Sequence, residues 1–195
     1  MRFLIASALF LNACSACATR APASLPGIPF EIDPSISIFT PDGGGGHACP
    51  VAGGVVTARH VMWDEFNRKF LGASWSYQGQ RGTAFVIDES QFQDVVALDL
   101  NGGKVNYLPL GTLPAVGDPI YWFEYDFRTQ TNAYRARRRV GNVLRLVGGH
   151  IIIDSEPVAG ASGTCLINAK GEAVGIIVAA IGTEDGGAVG IAAAP

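Results

Sequence analysis

The chain has 195 residues, a formal net charge of −3, 48% apolar and 16% charged residues. This balance excludes a disordered chain, and the mild acidity excludes a protein that holds nucleic acid by charge. Twenty-five glycines and 11 prolines call for many turns between short segments, which makes an all-β fold the expectation.

The first segment, "MRFLIASALFLNACSACATRAPA", has one arginine, an apolar run from Phe3 to Leu11 and then small residues. This is the layout of a secretory signal, with cleavage expected after Ala18 or Ala23. Residues 1–23 are therefore assigned to a signal peptide and leader, and the protein to a secreted or periplasmic location. "LNAC" also reads as a lipoprotein box, with Cys14 carrying a lipid anchor. The run is too short to span a bilayer, and no other stretch is long and uncharged enough to do so. Loss of Arg2 with the signal takes the charge from −3 to −4, and loss of Arg20 as well takes it to −5. No nucleic-acid partner fits that charge.

From residue 24 a proline-rich lead-in gives way to short apolar or alternating runs bounded by Gly, Asn, Asp or Gln: "SISIFT", "ACPVAGGVVTA", "GASWSYQ", "GTAFVID" and "DVVALDL". These read as strands. "VMWDEFNRKF" is different: Trp63, Phe66 and Phe70 recur at spacings of three and four, which predicts a short helical turn after His60. Residues 101–118, rich in Gly, Pro and Asn, read as a connector. Beyond it come "PIYWFEYD", "NAYRARRRVGNVLRLV", "HIIIDSE", "TCLIN", "EAVGIIVAAIG" and "AVGIAAA", again short strands without interleaved helices. Two antiparallel barrels or a sandwich accommodate such a pattern. In the basic run, Arg135, Arg137 and Arg139 share one face of a strand, a solvated face rather than a polyanion site.

Cleavage of the leader removes Cys14 and Cys17 and leaves Cys49 and Cys165 in a compartment that permits disulfides. The pair reads either as a disulfide or as two buried thiols. Its spacing does not suit zinc, and no metal or cofactor is implied.

Hydrolysis of an acyl bond needs a nucleophile, a base, a group to orient the base and donors for the oxyanion. "VVTARHVM" places His60 where an apolar strand ends, and "FQDVVALDL" places Asp94 at the head of another. "GASG" sets Ser162 between Gly160 and Gly163, so that the backbone can turn sharply and aim the Gly160 and Ser162 amides at one point. Singly, each has an ordinary structural explanation. Their joint order carries the reading. An α/β-hydrolase elbow, GxSxG, is excluded by Thr164 and by the lack of a following helix pattern.

With these flanks the chain resembles the trypsin and chymotrypsin-like serine proteases, above all their bacterial branch typified by the HtrA proteases. "TARHV" is similar to the branch's "TAxHV", "DVVALDL" to "DxAxL", and "GASGTCL" to "GxSGxPL". "LPAVGDPIYWFEY" resembles "VGDxVxAIG", "EAVGIIVA" resembles "GxVVGI", and "AVGIAAAP" resembles "GxGFAIP". The resemblance spans roughly residues 45–195. It implies two antiparallel six-stranded β-barrels, over residues 24–108 and 109–195, with the active site in the cleft between them. His60, Asp94 and Ser162 would be the catalytic triad, Gly160 and Ser162 the oxyanion hole, and Val178, Ala179 and Ala180 the walls of an apolar specificity pocket. The substrate would be a peptide or protein.

Departures from the family pattern carry expectations too. Ala161 replaces the aspartate that receives the new amino terminus in the digestive members, so that route of activation is not expected. "HAC" at 47–49 resembles their "HFC", which implies a Cys49–Cys165 disulfide joining the barrels behind the site. His47 is assigned a structural or supporting role, and His150 a place in a solvated turn. The sequence ends at Pro195 without the family's terminal helix or a PDZ-like domain, which predicts a monomer. A catalytically silent scaffold that binds peptide or protein is the competing reading.

Overall fold

The computed structural model describes residues 33–90, 94–125, 136–182 and 188–193. The leader, with Cys14 and Cys17, and Arg135 of the basic run lie outside the described residues.

The first barrel is built from β1 (Ile36–Phe39), β2 (Gly45–Val51), β3 (Gly54–Ala58), β6 (Ala73–Tyr77), β7 (Gln80–Glu89) and β8 (Val95–Asp99). Its closed order is β1-β2-β3-β8-β7-β6, and every pairing is antiparallel. The second uses β9 (Pro119–Tyr125), β10 (Ala136–Val147), β11 (His150–Ile153), β12 (Cys165–Ile167), β13 (Ala173–Gly182) and β14 (Ala188–Ala193), closed in the order β10-β11-β14-β13-β12-β9. The all-β, double-barrel expectation is met.

Alternation along each strand explains the closure. Ile36 and Ile38 of β1 and Ala73, Trp75 and Tyr77 of β6 point into the first barrel, while Phe39 and Ser74 point out. A strand with a period of two buries one face only, and rolling the sheet shut gives that face a core while removing the open edges. Trp75 is kept satisfied inside by its indole N–H, which lies within hydrogen-bond distance of Thr83 O and Leu100 O. One apolar cluster runs from the first barrel into the second, taking in Cys165, Ile167, Ala173, Ile176 and Val178. The barrels therefore share a core. The Cys49–Cys165 disulfide crosses it, joining β2 to β12 with both cysteines fully buried.

One expectation needs correction. The aromatic spacing after His60 does not extend a helix: α1 (Arg59–Met62) is a single turn, followed by a hairpin of β4 (Trp63–Asp64) and β5 (Lys69–Phe70). Trp63 and Phe70 are cross-strand partners, ring centroids 5.0 Å apart and edge-on, with the Arg59 guanidinium 4.0 Å from the Trp63 ring centroid. Phe66 sits at the exposed hairpin tip, and Asn67 N–H and Nδ2 donate to the Asp64 carboxylate to close it. Asp88 and Glu89 end β7, where Glu89 pairs with Arg59 at 3.1 Å. The connector has no long strand, but it touches both barrels through isolated bridges, Val51↔Leu108 and Leu110↔Ala173.

Candidate active site

His60 lies in α1, directly after β3, because the apolar run that fills the barrel stops at Ala58 and the chain turns once before the hairpin. Asp94 precedes β8, which pairs with β3 through Ala58↔Val95. The two residues thus emerge at the same end of neighbouring strands. The Arg59 amide donates to Asp94 O at 3.1 Å and the His60 amide to Asp94 Oδ1 at 3.0 Å, so the carboxylate is held by backbone as well as by side chain. Its second oxygen, Oδ2, accepts from His60 Nδ1.

Ser162 comes from the second barrel, in the loop before β12. Its Oγ lies 2.8 Å from His60 Nε2. With Nδ1–H committed to the carboxylate, Nε2 offers its lone pair and the serine hydroxyl donates. The imidazole is about half exposed (47%) and the carboxylate partly shielded (34%). Burial pushes the Asp94 carboxyl up. The His60 hydrogen bond, the attraction of its charge, the His60 amide and Arg59 outweigh that, leaving the pKa below the ordinary carboxylate value.

The nucleophile loop is fixed by two glycines. Val158 to Ala161 form a turn closed by the Ala161 amide on Val158 O at 3.1 Å, and Gly160 in its third position has a φ of +90°. A positive φ there is the mark of a type II turn and favours glycine. Gly163 is more constrained: its φ is +83°, and a Cβ would meet His47 O at 1.8 Å. Among the described residues, no oxygen accepts a hydrogen bond from the Gly160 or Ser162 amide.

Two further groups brace the turn: His47, expected from the sequence in a structural or supporting role, and Glu124, which the sequence did not assign. His47, buried in β2, has Nδ1 2.9 Å from the carbonyl of Gly160, to which it must donate, and its amide donates to Ser162 O at 2.8 Å. Its own carbonyl accepts from Thr57 Oγ1 at 2.5 Å. Burial pushes its pKa down, opposed by the charge of Asp33 and the bond to Gly160. From the other side, the buried Glu124 accepts from Trp122 Nε1 at 3.0 Å and from the Val158 amide at 3.3 Å, and pairs with Arg139 at 3.1 Å. The only trace of this in the sequence is a glutamate at an apolar-phase position of "IYWFEY". The exposed arginine face is thus partly an ion pair with a buried carboxylate, while Arg137 and Arg138 are exposed.

The residues expected to line a specificity pocket divide. Val178 sits at a register shift of β13 and is buried in the shared core, whereas Ala179 and Ala180 are exposed. His150 is half-buried at the start of β11, after the Gly148–Gly149 turn.

Two closed antiparallel barrels, with a hydroxyl, an imidazole and a carboxylate in line across their junction, define the class of double-barrel serine peptidases. Sequence comparison agrees with the fold. Residues 48–176 match the family model described as a trypsin-like peptidase domain, and the chain belongs to that family. Solved structures similar to it include the serine endoprotease from Yersinia pestis, with 17% identity and a TM-score of 0.70 over 90% of this chain and 64% of that one. A human pathogenic astrovirus serine protease shares 17% identity at a TM-score of 0.63, over 83% and 89% of the two chains. The HtrA-type protease AlgW, solved with a tripeptide, shares 19% at 0.65, over 85% and 57%. The chain thus spans less than two thirds of the length of the first of these. No curated protein matches the sequence. Among the described residues, no helix is long and apolar enough to cross a membrane.

Proposed function

We propose that the protein is an exported serine endopeptidase that cleaves peptide bonds through an acyl-enzyme. The observation that carries this reading is the continuous hydrogen-bonded line from Ser162 Oγ through His60 to Asp94, assembled from two barrels. In the first step Ser162 Oγ attacks the peptide carbonyl carbon while His60 Nε2 takes its proton. Asp94 keeps the proton on Nδ1 and stabilises the imidazolium. The oxyanion is received by the Gly160 and Ser162 amides, which have no partner among the described residues. Collapse breaks the C–N bond, and the amine leaves with the proton from Nε2. Water, deprotonated by the same nitrogen, then attacks the ester and releases the acid and Ser162.

Ala179 and Ala180 are exposed along β13, where small apolar side chains leave room for a small or medium apolar residue on the acyl side of the bond. Export rests on the apolar leader and on the Cys49–Cys165 disulfide, which suits an oxidising compartment. The test is covalent labelling of the protein by a fluorophosphonate. The expected result is stoichiometric labelling that Ser162→Ala abolishes. A folded protein that fails to label under any condition tried would instead be a binding module on the same scaffold.

A further inference from the structure

Beside the oxyanion turn lies a cleft of roughly 720 Å³ that is not needed for the reaction steps. Gly160 stands at one end of it and Arg81 lines it on the first barrel. Resting on the peptidase reading, we propose that this cleft takes the part of the substrate that follows the cleaved bond, and that Arg81 selects a carboxylate there.

Strand register lays out the path. His47 pairs with Ser37, Ser37 with Ser76, and Ser76 with Arg81, across β2, β1, β6 and β7. All four line the cleft. Their sequence neighbours Ile36, Ile38, Trp75 and Tyr77 face the barrel core, so this row lies on the outer face. His47, the first of the row, reaches the Gly160 carbonyl. Three steps between strands, each about 4.8 Å, separate it from Arg81 by roughly 14 Å, the reach of about four extended residues. A carboxylate near the fourth residue after the cleaved bond would arrive at Arg81.

The floor is open because it is built of backbone. Gly43 to Gly46 form the hairpin end that borders the cleft. A Cβ on Gly46 would lie 2.8 Å from Ser162 O, and one on Gly45 would lie 2.4 Å from Ile38 O, so side chains are excluded from the stretch nearest the nucleophile. Charge then sets the preference. No acidic residue lines the cleft, and Arg81 is exposed, with no ion-pair partner among the described residues. Asp42, the nearest acid along the hairpin, has Oδ1 occupied by Thr40 Oγ1 at 2.5 Å and by the Gly44 amide at 3.1 Å. The cleft lies on the first barrel, whereas Ala179 and Ala180, proposed for the acyl side, belong to the second. The leaving side is what remains for it.

The experiment compares internally quenched peptides that share one acyl half. Their leaving halves carry Glu, Gln or Lys at the fourth position with an amidated end, and a further peptide ends there in a free carboxylate. A partly exposed ion pair gives about a three- to fivefold preference in kcat/KM for Glu over Gln. A similar gain for the free carboxylate assigns the site to chain ends as well as side chains, and a gain for only one identifies which source is read. In Arg81→Gln the Glu/Gln ratio should fall to one, and in Arg81→Glu the Lys peptide should become the best, while Arg145→Gln, on the second barrel, keeps the wild-type ratio. The ratio is internal to each variant, so a partly misfolded preparation does not change it. A wild type that labels with fluorophosphonate yet shows no acid preference, or keeps it in Arg81→Gln, overturns the proposal and leaves the peptidase reading standing. A wild type that neither labels nor cleaves overturns both.

Discussion

The His47 imidazole is the side chain through which the first barrel grips the oxyanion turn, and its removal is expected to slow the reaction without displacing the nucleophile. In His47→Ala the Gly160 carbonyl loses its donor at 2.9 Å, while the backbone bond from His47 N to Ser162 O at 2.8 Å is retained. Loss of a partner by this partly buried acceptor costs up to about 3 kcal/mol, which corresponds to at most roughly a 150-fold fall in the competent turn. The ceiling is the loss of one oxyanion donor, about 10²–10³ in kcat. Two amides separate geometry from bulk. Asparagine places its Nδ2 where Nδ1 sits, whereas glutamine places its amide one bond further out. Steady-state kinetics on one peptide substrate should therefore rank kcat as wild type, Asn, then Gln and Ala together, with KM nearly constant. Far-UV circular dichroism checks that each variant is folded. If Asn is no better than Ala, or if KM rises while kcat holds, the imidazole does not act through the Gly160 carbonyl.

The remaining predictions concern the frame around the site. The Cys49–Cys165 bond spans a sequence separation of 116; loop-closure entropy for such a span gives roughly 5 kcal/mol as the upper limit of its stabilisation. A double Cys→Ala variant should accordingly melt about 10–15 °C lower by calorimetry, and an unchanged Tm would show that the crosslink does not restrict the unfolded chain. Gly163→Ala forces a Cβ against His47 O in a left-handed backbone, with an expected destabilisation of at least about 2 kcal/mol; urea unfolding and fluorophosphonate labelling should both register it. Stability should also depend on pH in two windows. His47 has its pKa lowered in the fold, so the unfolded chain binds the proton more readily and stability falls as pH drops below about 6.5. Asp94 is likewise lowered, so its contribution is present above about 3.9 and disappears as pH falls further. Denaturant midpoints measured against pH should lose the upper slope in His47→Asn and keep the lower one.

What could be read along the chain was whatever local chemistry dictates. Period-two burial marked most strands because a strand offers alternate side chains to opposite faces. His60 at the end of a strand, Asp94 at the head of one and Ser162 between glycines were legible for the same reason: each depends on a few neighbours in sequence. The spacing of Trp63 and Phe70 was legible but ambiguous. Residues seven apart share a helical face, yet they also face one another across a hairpin whose tip spans residues 65–68. Asn67 bonding back to Asp64 and a positive φ at Arg68 favour the hairpin. Neither is a strong signal before the chain has folded.

Tertiary structure decided what depends on distant partners. The His47 contact with Gly160 joins residues 113 apart in sequence, and the serine meets its base across 102. Glu124 is a buried carboxylate held by Trp122, Val158 and Arg139, and no pattern around it announces those partners. The row from His47 to Arg81 exists only because four strands pair in one register. Local propensity acts over a few residues and can specify which segments become strands. Barrel closure brings together groups that no local interaction couples, so the grip on the oxyanion turn and the cleft beside it became visible only in the assembled fold.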